Sequence, residues 1–325
     1  DPGDQILTGD WDDDGVDTLA VFRPGRRALY VNLTNASGPA DITLCTGAFE
    51  RAVALTGLGP AFDGDAAGGC VPLPGPDDVI GTFTTYHDCC RNRVVNIHLI
   101  ADAVDGAVVF PGETWSLNTH VGPRTVEKGY LLAGAIIGPT VQCCSHPSNV
   151  GGGTSQFATT LFNAIFFSGV EDVYHRPHTL YFSRYPAGRE ATLGEGICEI
   201  LDVCFRNDTD SPIVIDTSYT DTSITVSFLG DNGGRQVTAR NDPWIYTSRP
   251  EKICKTDTNL YQTGSNGFKV VVYRDIAFSD GSTRTDEWTT FYAAQPTVED
   301  CVDGVPVSEL PPPPPPPPPP DVTLY

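Results

Sequence analysis

GGGTSQFATTLFNAIFFSGVEDVYHRPHTLYFSRYP, residues 151–186, is the stretch on which the fold turns. Three glycines lead into an apolar run too long for a typical strand. Phe157, Leu161, Phe162, Ile165 and Phe166 recur at helical spacing. The spacing predicts a buried helix over 155–168, closed by Gly169, with a β-rich run carrying His175 and His178 behind it. Gly151, Gly152 and Gly153 allow close backbone approach at the helix start, where free N–H groups favour a developing anion. Ser155 stands at that positive end, and a histidine of the following strand is the natural base for it. The plainer reading is capping: Thr154 and Ser155 are good N-cap residues, and a cap alone is worth about 1 kcal/mol.

Working outward, a set of short motifs surrounds this stretch. They are Asn96-Ile97, PGETWSLN (111–118), VGPRT (121–125), KGY (128–130), the triple glycine, TTLFNA (159–164), RPH (176–178) and GREAT (188–192). Taken together, from about residue 81 to 230, they resemble the VanW family. Some domains of that family are reported to act as L,D-transpeptidases, cross-linking peptidoglycan through a cysteine two positions after the glycines. Ser155 occupies that position here. The resemblance matches His178 to the histidine of an HPH-type motif whose first histidine is replaced by Arg176. A thiol is partly ionised at neutral pH, whereas a serine alcohol needs a well-placed base. The resemblance therefore implies, if the domain is an enzyme, Ser155 as nucleophile, His178 as base and N–H groups near Gly153 as oxyanion donors. No acidic third member is evident; Glu171 and Asp172 read as a solvated turn.

The chain has 325 residues, 41 acidic against 20 basic, for a net charge of −21. That balance argues against nucleic acid and for an extracellular location. No apolar run reaches the 18 residues of a membrane span, and a removed signal peptide is expected ahead of Asp1. The ten cysteines, Cys45, Cys70, Cys89, Cys90, Cys143, Cys144, Cys198, Cys204, Cys254 and Cys301, are expected to form disulfides. Adjacent cysteines rarely bond each other, so a bridge between the doublets 89–90 and 143–144 is expected. Cys45–Cys70 and Cys254–Cys301 would bracket the first linker and the last module. A zinc site of His87, the two doublets and His146 is the competing reading. His98, in an apolar run, reads as a core histidine, and periodicity leaves residues 94–100 open between strand and helix.

The expected fold is α+β: a central domain with the buried helix packed on a β-sheet, small all-β modules on both sides, and a polyproline II tail. Residues 1–50 resemble one FG-GAP-like propeller repeat. Asp10, Asp12, Asp14 and Asp17 around Gly15 present oxygens at the alternating spacing calcium takes, with a solvated acidic turn as the alternative. Residues 51–80 read as a Gly/Pro/Ala-rich linker, 81–232 as the central domain, and 233–306 as a β module that resembles the G5 type. Alternation predicts hairpins over 213–229 and 267–298, the latter about Ser279-Asp280-Gly281-Ser282. Asn32, Asn35 and Asn207 head N-glycosylation sequons.

Residues 307–325 hold ten consecutive prolines, a rod about 31 Å long at 3.1 Å per residue. Three functions fit: an extracellular structural protein that self-associates head to tail through this tail, a peptidoglycan-acting enzyme, and a cell-wall binding module. No organic cofactor is expected in any of them.

Overall fold

The computed structural model describes residues 5–9, 18–23, 28–31, 42–45, 71–72, 74–75, 78–89, 91–137, 140–142, 150–254 and 263–309. The acidic loop around Asp10, the cysteines 70, 90, 143 and 144, His146 and the proline tail fall outside them. With those residues go the calcium, doublet-bridge, zinc and tail expectations. In the N-terminal block, Gln5–Gly9, Thr18–Arg23, Ala28–Val31 and Ile42–Cys45 form an antiparallel meander, and Val71–Pro72 joins it in parallel. Residues 71–72 of the expected linker thus belong to this sheet, and its last two residues, Val79 and Ile80, open a strand of the central sheet.

The central sheet orders four antiparallel strands: Val79–Tyr86, Ser223–Leu229, Ile213–Thr220 and Ala107–Val109. Ile224, Val226 and Phe228 point into the core, while the alternate residues turn outward. On the outer side Thr82 pairs with Ser227 and Thr84 with Thr225 through hydroxyls at 2.9 and 2.7 Å. The inner side is covered by two helices, α1 (Asn92–Val104) and, beyond the five-residue α2 (Leu117–Val121), α3 (Thr154–Ser168). Residues 94–100 are therefore helical. His98 is half-buried at the edge of α1, not in the core, with its ring 3.8 Å from that of Tyr219.

The expected helix is α3, and thirteen of its fifteen residues are buried. Burial on all sides is possible because its polar members bond inward: Thr160 Oγ1 to Thr85 Oγ1 at 2.7 Å and Gln156 Nε2 to the Tyr86 carbonyl at 3.0 Å. Gly81 lets the sheet approach closely, since a Cβ there would lie 2.5 Å from Ser168 N. Gly169 ends the helix in the left-handed region at φ 76°. Capping at the other end differs from expectation. The N-cap is Gly153, without a side-chain cap, and Thr154 Oγ1 donates backward to the Gly151 carbonyl at 2.9 Å.

A second antiparallel sheet joins Glu171–Tyr174, Cys204–Arg206 and Thr114–Ser116. Most of residues 175–203 is irregular, so His178 sits on a loop rather than on a strand. In the C-terminal sheet, Gly267–Ala277 pairs with Thr283–Tyr292 on one side and with Gln236–Asn241 and Ile245–Ser248 on the other. Phe268, Val270, Val272 and Tyr292 belong to the same hydrophobic core as Phe157, Phe162 and Phe166. One core thus crosses the boundary expected at 232/233. Arg274, 2% exposed, donates from α3's neighbour sheet to the Val170 carbonyl at 3.0 Å and pairs with Asp286 at 2.7 Å. Cys254 is joined to Cys301 and Cys198 to Cys204, and Cys89 is disulfide-bonded.

Asn207, fully buried, gives its amide to the Val109 and Ser211 carbonyls, each at 2.9 Å, which removes it as a glycan acceptor in the folded chain. Among the described residues no helix is long and apolar enough to cross a membrane.

Candidate functional site: an open cleft at the start of α3

Three side chains on one stripe of α3 hold the extended segment 189–193. Ser155 Oγ accepts from Leu193 N at 3.0 Å, Thr159 Oγ1 accepts from Ala191 N at 3.1 Å, and Asn163 Nδ2 donates to the Arg189 carbonyl at 2.8 Å. The match follows from two periodicities. Four helical residues rise about 6.0 Å and two extended residues about 6.6 Å, so positions i, i+4, i+8 of a helix face alternate residues of a strand-like chain. Ser155 is the last rung of this ladder, at the rim of an open cleft of about 1650 Å³.

Gly151, Gly152 and Gly153 form one wall of the cleft and Ser155 and His178 also line it. The glycines are required sterically. A Cβ on Gly152 would lie 2.6 Å from the Ala133 carbonyl oxygen, and one on Gly153, at φ 101°, would lie 2.8 Å from Arg93 Cβ. Asn96, buried in α1, fixes the wall by donating to the Leu131 and Gly152 carbonyls at 2.8 and 2.9 Å.

The opposite rim is the loop 194–203. Asp202 lies buried beneath it, accepting from Ser116 Oγ at 2.6 Å, Asn118 N at 3.0 Å and Cys198 N at 2.9 Å. Asn118 Nδ2 adds bonds to the Gly196 and Leu201 carbonyls at 2.6 and 3.1 Å. Ser116 and Asn118 of the WSLN motif are therefore rim supports. The loop carries Ile197 and Ile200 exposed beside the cleft, with the Cys198–Cys204 bridge behind them.

His178 is buried and its Nδ1 lies 2.7 Å from Glu190 Oε2. Tyr185 stacks on the imidazole with ring centres 5.8 Å apart. Glu190 is fully buried; its other oxygen has no well-formed hydrogen bond, and the hydroxyl of Tyr292 is its neighbour. That hydroxyl accepts from Gly188 N at 2.7 Å, and burial together with the Glu190 charge pushes the phenol far above its ordinary range. Burial and Glu190 also raise Tyr181.

The acid absent from the linear reading is thus Glu190, the third residue of GREAT. Asp172 serves another histidine, His175, at 2.8 Å, and that ring stacks on Phe162 within the core. No hydrogen bond joins Ser155 to His178 among the described residues; Ser155 takes its bond from the backbone of Leu193. The signal that finds Glu190 is its place in an extended run two residues before Thr192, whose N–H bonds to the Arg176 carbonyl at 2.7 Å and so brings the GREAT and RPH segments side by side.

Two further cations occupy the inner cleft. Arg93 donates to Gln156 Oε1 at 2.7 Å, and Arg124 to Asn118 Oδ1 at 2.6 Å and to the Gly194 carbonyl. Burial lowers both guanidinium pKa values from the ordinary arginine value.

A family model described as "VanW like protein" matches residues 92–229, which span α1, the cleft and the central hairpin. Over 137 residues the chain is 39% identical to the protein named "Uncharacterized protein YoaR" of Bacillus subtilis (strain 168). The match covers 42% of this chain and 43% of that protein, so the chain spans less than half of that relative's length. No solved structure matches. Residues 92–229 form a VanW-like domain; the resemblances of the flanking segments to FG-GAP and G5 modules draw no support from these matches.

Proposed function

We propose that the VanW-like domain is a non-catalytic binding module of an extracellular protein, and that its cleft receives peptidoglycan stem peptides. The observation that carries this reading is the use of Ser155. It stands where the family resemblance expects a nucleophilic cysteine, and its oxygen is instead the end rung of the ladder that fastens segment 189–193 to α3. The cleft around it stays open. The groove is kept while its nucleophile has become scaffold. The test is co-sedimentation of the full chain with purified peptidoglycan sacculi, followed by analysis of the soluble products. Retention without released or newly cross-linked muropeptides is expected. Turnover, or no retention at all, defeats the proposal.

One observation favours a second reading, a serine acyltransferase. The His178–Glu190 pair is the base and orienting acid such chemistry requires, and both groups are buried beside the cleft. A substrate that displaced the Leu193 N–H bond would free Ser155 Oγ for His178. Mass spectrometry of the chain after incubation with stem peptides reads this out as an acyl adduct on Ser155, absent in Ser155→Ala.

The assembly reading belongs to the proline tail, outside the described residues; it remains a proposal of head-to-tail association with its own test below.

A further inference from the structure

Among the described residues five arginines, Arg91, Arg93, Arg124, Arg176 and Arg184, line the cleft, with one acid, Glu195. This is a local inversion of a chain that carries 41 acidic and 20 basic residues. Outside the cleft Arg206, Arg235, Arg240, Arg274 and Arg284 are each ion-paired, whereas Arg189 and Arg249 have no ion pair among the described residues. Among the described residues no ion pair holds any of the five cleft arginines.

The inner two are fixed by neutral groups: Arg93 by Gln156 and Tyr185, Arg124 by Asn118 and the Gly194 carbonyl. Neutral acceptors orient a planar guanidinium without cancelling its charge, and the bonds named here are fewer than the five N–H donors a guanidinium carries. Asp88 acts on Arg93, and Asp202 and Glu195 on Arg124, through space without a hydrogen bond to them. An uncompensated cation in a partly buried place is costly, and a carboxylate brought in from outside relieves that cost with charge-assisted bonds. Arg176 and Arg184 are exposed at the rim, the latter stacked over Phe182 with its guanidinium 4.6 Å from the ring centre. The cleft, at about 1650 Å³, exceeds the roughly 300–1,000 Å³ of ordinary small-ligand sites, which fits a chain-like occupant.

We propose that the cleft is a receptor for an extended peptide bearing several carboxylates. Arg93 and Arg124 receive two of them in the interior, and Arg176 and Arg184 meet the flanking charges. This deepens the stem-peptide reading and takes from it the choice of a peptide over other polyanions.

The test is titration calorimetry of the full chain with hexaglutamate, hexaglutamine and tripolyphosphate at low and high salt. Hexaglutamate is expected to bind at least about tenfold more tightly than hexaglutamine, a difference of roughly 1.4 kcal/mol. Added salt is expected to weaken it. Arg124→Gln is expected to lower hexaglutamate affinity by about tenfold or more. Because Arg124 also supports the rim, the exposed double variant Arg176→Gln/Arg184→Gln, checked for an unchanged Tm, is the safeguard; it is expected to weaken binding several-fold. Equal binding of the two peptides, or undiminished binding in both variants, overturns the proposal. Tripolyphosphate binding more tightly than hexaglutamate also overturns it and points to a phosphate polymer. Sacculi separate this from the preceding reading. Retention on sacculi that is indifferent to the arginine variants defeats the carboxylate receptor alone. Hexaglutamate binding without sacculus retention defeats the stem-peptide reading alone.

Discussion

Ser155 illustrates how one side chain is claimed by two kinds of chemistry. At the second position of α3 it has the placement of a nucleophile, yet its oxygen is engaged by the Leu193 N–H. Ser155→Ala leaves that amide without its acceptor, at a cost of roughly 1 kcal/mol. Urea unfolding is expected to report that loss while sacculus retention is unchanged; loss of retention with unchanged stability would reverse the assignment of the residue. His120 offers a second residue-scale test. Its Nε2 lies 3.0 Å from the Ala103 carbonyl, its Nδ1 is buried without a partner, and burial depresses its pKa. A histidine whose folded pKa lies below its unfolded value favours the fold when neutral. Its contribution is full above the unfolded value near 6.5 and is lost as pH falls below that. His87, depressed chiefly by burial, acts in the same direction. Tm is expected to fall from pH 7.5 to pH 5.5, and His120→Gln to reduce the slope, as thermal scans at the two pH values would register.

At the scale of elements, what the sequence made legible was what repeats. Phe157, Leu161 and Ile165 at helical spacing marked α3, and the alternation of Ile224, Val226 and Phe228 marked the central hairpin. Helix α1 was ambiguous because Val94, Ile97, Ile100 and Val104 are buried but interrupted by Val95 and His98, which a strand would equally accommodate. The irregular segment 175–203 was illegible for a physical reason. It has no period of its own, and its shape comes from side chains elsewhere: Ser155, Thr159 and Asn163 on α3, and Asn118 beneath the rim. Glu190 was printed in plain sight in GREAT, but only that borrowed shape brings it to His178. Two element contacts invite measurement. Gly81→Ala drives a methyl into the backbone of α3 and is expected to cost roughly 1–3 kcal/mol of overpacking strain. Arg274→Met removes the donor of the Val170 carbonyl and leaves Asp286 paired with Arg284 alone, and is expected to cost roughly 3 kcal/mol. Chemical denaturation measures both, and a neutral Arg274→Met would show that the packing of the C-terminal sheet against the end of α3 does not depend on that contact.

At the scale of the molecule, the central domain and the C-terminal sheet are less separate than the sequence suggests. Because Phe268, Val272 and Tyr292 share a core with α3, a chain ended after Asn232 is expected to lose cooperative unfolding and to be digested rapidly by protease. A stable truncated fragment would contradict the shared core. The assembly proposal is tested at this scale as well. If the proline tail joins copies, electron microscopy of the full chain is expected to show filaments that vanish on truncation after Leu310, and monodisperse particles in both samples would end that reading. What lies under the cleft has a consequence for how such a protein diverges. Family similarity stops at residue 229, but Glu190, the support of His178, rests against Tyr292, sixty-three positions beyond that limit. A change at Tyr292 is therefore expected to reach the histidine of the cleft from outside the matched residues. A gene fusion that exchanged the C-terminal hairpin would inherit residues 92–229 without the floor on which His178 stands.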